Sequence, residues 1–277
     1  MHSTWFTGAN AKKEEKTMGY RYAVELYSVR GELEKDLTGT LEKVRDMGYE
    51  AVEFFGEFKH PARVIKEALD KTGLICCGWH TPWSYVQDDR FDETVAYFKE
   101  IGNQNVIIPG LPRELTNSKE AWLKIAEEFN RLSEKLKKHG MRIGYHNHAS
   151  EFFYIDGEQP FHILFSNTVP DVIVQVDNGH VLRGGADVMA AITPYAGRAK
   201  SVHLKPYKLG CMDLNDGYDT MIGEDDVPWA EFMAWCLKHG GTEWFIVEYE
   251  SEKLYTPFEG IEACLKALKK MEAEGRF

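Results

Sequence analysis

The chain of 277 residues is poor in the features that mark secreted, membrane-spanning or nucleic-acid-binding proteins. Its five cysteines, Cys76, Cys77, Cys211, Cys236 and Cys264, are odd in number and irregularly spaced, and the adjacent pair is not a CxxC motif. This excludes a regular disulfide framework and fits a reducing, cytoplasmic compartment. No apolar run approaches the roughly 18 residues needed to cross a bilayer, so no membrane partner is expected. The first 18 residues also lack the apolar centre of a signal peptide. Basic residues are the minority, 33 Lys and Arg against 44 Asp and Glu, for a formal net charge of −11. Phosphate binding is driven by Lys and Arg, so no nucleic-acid partner is expected. There is no Ser/Gly/Pro-rich linker. Residues 1–19 read as a polar N-terminal extension and residues 20–277 as one domain, a length usual for α/β barrels.

What the chain does have is alternation. Strand-like runs fall at residues 21–27, 51–55, 74–80, 105–109, 141–146, 172–177, 200–204 and 244–249. Helix-like segments fall between and after them, at 32–47, 61–71, 91–101, 118–139, 160–167, 185–193, 228–239 and 257–274. Leu33, Leu37, Leu41 and Val44 share one face of the first helix, Asn117 or Ser118 caps the fourth, and Gly48, Gly73 and Gly140 end helices. Several strands are continuous apolar runs, as expected where helices cover both faces of a parallel sheet. Eight such pairs predict a (β/α)8 barrel. The connection 206–227, after the seventh strand, lies on the catalytic face and reads equally as a lid or a solvated loop.

Four of these runs end in side chains that bind metals: His146 (with His148), Asp177 (with His180), His203 (with Lys205) and Glu248 (with Glu250). The steps from His146 to Asp177, to His203 and to Glu248 are 31, 26 and 45 residues. Each is about one strand–helix–strand unit of roughly 30 residues. Ligands at the ends of consecutive parallel strands converge at the C-terminal mouth of a barrel. His146 and His148 point the same way by strand alternation. Mixed imidazole and carboxylate donors suit Mn, Zn, Co or Fe(II) better than Mg or Ca, with Mn the first choice.

Taken in order, several motifs resemble the xylose isomerase-like TIM-barrel family, which includes sugar phosphate isomerases/epimerases and family 2 AP endonucleases. They are Glu25-Leu-Tyr27-Ser-Val-Arg30, Gly48-Tyr-Glu-Ala-Val-Glu53, His146-Asn-His148-Ala-Ser-Glu151-Phe, Asp177-Asn-Gly-His180, Val202-His203-Leu-Lys205, Ile222-Gly-Glu-Asp-Asp-Val-Pro-Trp229 and Val247-Glu248-Tyr-Glu250. The resemblance spans residues 20–274. It implies His146, Asp177, His203 and Glu248 as metal ligands, with His146 standing where many relatives carry Glu. It also implies substrate contact by His180.

From placement alone, His80, Trp83, Lys205, Glu53 and Arg183 are further candidates for substrate contact. Glu25 and Tyr27 are expected to fill the barrel floor. For catalysis, Glu248 is the expected base, with His146, His148 or Glu151 relaying a proton. The expected activity is a divalent-metal-dependent sugar isomerase or epimerase, working by proton abstraction next to a carbonyl through an enediolate. Because His replaces Glu at residue 146, expulsion of a β-leaving group from a keto-sugar or inosose, a dehydratase or lyase activity, is the alternative. An endonuclease would need more ligands and a basic groove, and a non-catalytic sugar-binding barrel would not need a complete ligand set. The expected partner is a small carbohydrate or keto-sugar, with a second copy of the chain possible. No Gly-rich phosphate motif stands out to make that sugar a phosphate ester.

Overall fold

Residues 19–251 and 253–277 are described by the computed structural model, so the extension expected at 1–19 lies, apart from Gly19, outside the described residues. Eight strands form one parallel sheet: β1 Tyr22–Glu25, β2 Ala51–Phe55, β3 Ile75–His80, β4 Asn105–Ile108, β5 Arg142–His146, β6 Ile173–Gln175, β7 Ser201–Leu204 and β8 Trp244–Val247. They are ordered β6-β5-β4-β3-β2-β1-β8-β7. The ring closes between β6 and β7, where the His203 amide donates to the Val176 carbonyl at 2.8 Å and Asp177 bridges to His203. The fold is a (β/α)8 barrel.

Among the described residues, ten α-helices flank the sheet: α1 Arg30–Lys35, α2 Leu37–Met47, α3 Ala62–Thr72, α4 Phe91–Ile101, α5 Lys119–Lys137, α6 Pro160–Ser166, α7 Asn178–Arg183, α8 Val188–Ile192, α9 Trp229–Trp235 and α10 Pro257–Ala273. The first expected helix is two. Asp36 breaks it and caps α2 by accepting from the Gly39 amide, while Leu37, Leu41 and Val44 are buried and Leu33 only partly so. Ser118, not Asn117, caps α5 by accepting from the Ala121 amide. The segment after β6 turns helical sooner than its sequence pattern suggests, and α7 begins at Asn178 because the Asp177 carboxylate caps it.

Two apolar cores result. The larger lies between the sheet and its helices, and a small one of Ala23, Ala51, Cys77, Trp244 and Ile246 fills the barrel interior. This apolar plug is the floor, which corrects the expectation that Glu25 and Tyr27 fill it. Register places Glu25 beside Glu53 in a polar layer above the plug, and Tyr27 is at the rim, 38% exposed. Alternation directs Glu53, His80, His146, Gln175, His203 and Glu248 to the same interior. A packed floor beneath polar strand ends is the arrangement in which TIM barrels place their sites. Among the described residues, no helix is long and apolar enough to cross a membrane.

Candidate metal centre and active site

The four strand-end residues converge. One donor atom from each of His146, Asp177, His203 and Glu248 lies within 4.8 Å of every other, and all four residues are buried. The Asp-Asn-Gly-His motif supplies much of this geometry. Asp177 Oδ1 accepts from the His180 amide at 2.7 Å, so one carboxylate oxygen caps α7. Asn178 Oδ1 accepts from the Lys205 amide at 2.9 Å. At Gly179 a Cβ would come within 2.7 Å of the Lys205 carbonyl, so only glycine lets α7 approach β7 this closely. In the His-Asn-His motif, Asn147 clamps the Asp177 backbone, accepting from its amide at 3.0 Å and donating to its carbonyl at 3.2 Å.

The second carboxylate oxygen of Asp177 has no hydrogen-bond partner, although the residue is wholly buried. It faces His203 Nδ1 at 3.9 Å, Lys205 Nζ at 3.9 Å and His146 Nε2 at 4.0 Å. A buried anionic oxygen without a partner is costly. A divalent ion shared with the three neighbouring donors would satisfy it, so the residues present fit such an ion. Two imidazoles and two carboxylates suit Mn, Zn, Co or Fe(II).

His203 lies between two carboxylates, its Nδ1 2.7 Å from Glu248 Oε2 and its Nε2 2.7 Å from Glu53 Oε2. Burial opposes its charge, but hydrogen bonds to Glu248 and Glu53 outweigh that and raise its pKa to about 10. Glu248 is likewise opposed by burial, yet Lys205 and His203 hold it well below the usual carboxylate range. Burial pushes Asp177 up to about 7 against the pull of Lys205. His146 is held neutral by burial and by its imidazole neighbours.

Above these residues opens a cavity of about 320 Å³ whose walls include Tyr27, His80, His146, His148, His180, Glu248 and Glu250. Burial lowers the pKa of both His148 and His180. Lys205 is fully buried and pairs with Glu250 at 2.9 Å and Glu248 at 3.1 Å. It also lies 3.2 Å from His180 Nε2. An ammonium only donates, so His180 Nε2 accepts and its Nδ1–H donates to the Tyr218 oxygen at 2.6 Å. Tyr218 arrives on the long connection after β7, which therefore packs behind His180 without lining the cavity. Arg183 donates to Asn215 at 2.7 Å and helps tie that loop down instead of lining the cavity.

Three other candidates sit elsewhere than their sequence positions suggest. Trp83 stacks on Phe129 with centroids 5.8 Å apart, off the cavity. The Glu151 carboxylate accepts from Tyr145 Oη at 2.7 Å, the His148 amide at 2.9 Å and Ser150 Oγ at 3.0 Å. It is neither solvent-facing nor on the cavity, and it holds the turn after β5. Glu53 is wholly buried below the ligand set and touches His203, His80 and Gln175. A Cβ at Gly78 would fall 2.1 Å from Glu53 Oε1, so that glycine makes the space the carboxylate occupies. Sequence reasoning missed Gln175 and Tyr218. Gln175 precedes Asp177 by two, so strand alternation was an available signal, whereas nothing local marks Tyr218.

Comparison with known proteins agrees with this architecture. Residues 41–271 match the family described as "Xylose isomerase-like TIM barrel". An inosose dehydratase from Bacillus licheniformis is 24% identical over 237 residues, covering 74% of this chain and 78% of the relative. The crystal structure of a sugar phosphate isomerase/epimerase from Parabacteroides distasonis shares 23% identity, with a TM-score of 0.75 over 92% of this chain and 98% of its own. The crystal structure of the IOLI protein with a bound zinc atom shares 16% identity, with a TM-score of 0.68 over 92% and 98%. The two structural likenesses establish the fold, and the family match covers most of the chain and its motifs. The chain belongs to the xylose isomerase-like TIM-barrel family.

Proposed function

We propose that the protein is a divalent-metal-dependent lyase that removes a β-leaving group, such as water, from a keto-sugar or inosose. One observation carries this reading. The cavity wall carries four imidazoles (His80, His146, His148 and His180), while its two carboxylates, Glu248 and Glu250, are both engaged by the same ammonium, Lys205. Paired carboxylates on opposite faces suit epimerisation, whereas elimination needs one base and one proton donor. The similarity to inosose dehydratases supports the same choice over the isomerase reading.

His146, Asp177, His203 and Glu248 would hold a divalent ion, which would supply Lewis acidity toward the substrate carbonyl. His148, a neutral imidazole on the cavity wall, takes the proton from the carbon beside that carbonyl. The electron pair left behind forms the new carbon–carbon double bond, and the carbon–oxygen bond to the leaving group breaks. The departing oxygen takes up the proton that His148 removed, so the imidazole returns to its neutral form and the leaving group departs as water. Glu248, held ionised by Lys205 and His203, serves as ligand in preference to base.

The test is NMR in D2O of Mn-loaded protein with a panel of inososes, ketoses and 3-keto-glycosides. A conjugated enone or its tautomer, formed with loss of the β-substituent, supports the lyase. Deuterium uptake with a retained skeleton means isomerase or epimerase instead. No exchange and no product with any substrate overturns proton-abstraction chemistry altogether.

A further inference from the structure

Histidine is an awkward replacement for a carboxylate ligand. A carboxylate offers lone pairs on both oxygens, but a neutral imidazole offers one, on whichever nitrogen lacks the proton. His146 can ligate through Nε2, the atom 4.0 Å from Asp177 Oδ2, only when the proton sits on Nδ1. The fold contains a residue placed to enforce that choice.

Gln175 is wholly buried on β6, two residues before Asp177 and in register with His146. Its Nε2 lies 3.1 and 3.3 Å from the two oxygens of Glu53 and 2.8 Å from Ser201 Oγ. Its Oε1 lies 3.1 Å from His146 Nδ1 and 2.9 Å from His80 Nε2. The Glu53 oxygens already accept from His203 Nε2 and lie against His80 Nε2, so the amide nitrogen faces them and the carbonyl oxygen faces the two histidines. A carbonyl oxygen only accepts. His146 Nδ1 and His80 Nε2 therefore both carry protons.

We propose that Gln175 is a positioning residue that makes His146 a working fourth ligand, by locking its Nδ1–H tautomer and turning the Nε2 lone pair to the ion. The orientation of Gln175 is itself secured from the far side of the barrel, since the Glu53 carboxylate that takes its amide protons also accepts from His203. One buried amide thus connects two of the four ligands, His146 directly and His203 through Glu53. Partners of this kind beyond the ligands are typically worth 10- to 100-fold in metal affinity.

This inference rests on the metal-centre reading, and the experiment separates the two. Long-range ¹⁵N–¹H NMR of metal-free protein, labelled at histidine and assigned with His146→Ala, reads the tautomer directly and needs no Gln175 variant. Affinity for Zn²⁺ is then measured by competition with a chromophoric chelator for the wild type, Gln175→Met, His146→Ala and the double variant. The expected results are an Nδ1–H His146 in the wild type and 10- to 100-fold weaker binding in Gln175→Met. The double variant should bind no more weakly than His146→Ala. An Nε2–H His146 in the wild type, or losses that multiply in the double variant, overturns the role of Gln175 while leaving the metal centre standing. A wild-type protein that binds no Zn²⁺ overturns the metal centre and this proposal with it.

Discussion

Metal affinity should depend steeply on pH, because the ligand set holds protons that an ion must displace. His203 has its pKa raised to about 10 by Glu248 and Glu53, and Asp177 is pushed up to about 7 by burial. His146 is already neutral and Glu248 already ionised, so neither contributes. Binding near pH 6 should then release about 1.9 protons, about one from His203 and about 0.9 from Asp177. Near pH 8 the release should fall to about 1.1 protons. Integrating between these pH values, Asp177 contributes about 10-fold and His203 about 100-fold, so affinity should rise about 1,000-fold, or about 4 kcal/mol. With ordinary pKa values for a histidine and an aspartate, the same interval gives only about 4-fold. Free Mn²⁺ can be followed by electron paramagnetic resonance from pH 6 to 8, and proton release by calorimetry in buffers of different ionisation enthalpy. A rise of less than about 10-fold would refute the placement of His203 between two carboxylates as a metal ligand.

Four further outcomes are expected. Chelation should lower the melting temperature, since an ion at 100 times its Kd adds about 2.7 kcal/mol, or about 5–10 °C for a chain of this size. No shift on adding Mn²⁺ back would count against a specific site. Metal-stripped protein should lose stability from pH 8 to 10 in urea titrations. The raised His203 contribution is fully present below its ordinary 6.5 and lost as pH climbs through about 10, and above pH 8 the depressed His146, His148 and His180 are neutral in both states and no longer oppose it. A midpoint that rises over this range would contradict the His203 shift. Lys205→Met leaves Glu248 and Glu250 without their buried cation and should cost about 3–5 kcal/mol in metal-free protein, read by denaturant midpoint; a cost below about 1 kcal/mol would show the pairs to be solvent-screened. Gly78→Ala forces Glu53 from its place and should cost about 1–3 kcal/mol while weakening metal binding, and unchanged Zn²⁺ affinity would deny Glu53 any part in holding His203.

The elements were legible in the sequence where local chemistry decides them. Gly48 and Gly73 end α2 and α3 at positive φ because only glycine adopts that backbone freely, and Ser118 caps α5 with its own hydroxyl. The positions of the four candidate ligands were legible for a related reason. Strand alternation and the roughly 30-residue repeat put His146, Asp177, His203 and Glu248 at one mouth without knowledge of any contact.

What side chains do once they arrive was not legible, because their partners are remote in the chain. Glu53 accepts from His203, 150 residues away, and Gln175 donates to Glu53 across 122 residues. Glu53 thus packs against His203, His80 and Gln175 beneath the four candidate ligands and is absent from the cavity wall. Glu151 shows a second error. It was expected to relay a proton, yet three donors within six residues, Tyr145, His148 and Ser150, engage its carboxylate away from the cavity. The sequence by itself therefore determined the barrel and the residues at its mouth, through periodicities of the chain. Only closing the barrel decided which carboxylates are ionised, which imidazole nitrogen is free and which acids face the cavity, because protonation and hydrogen bonding depend on groups that folding alone brings together.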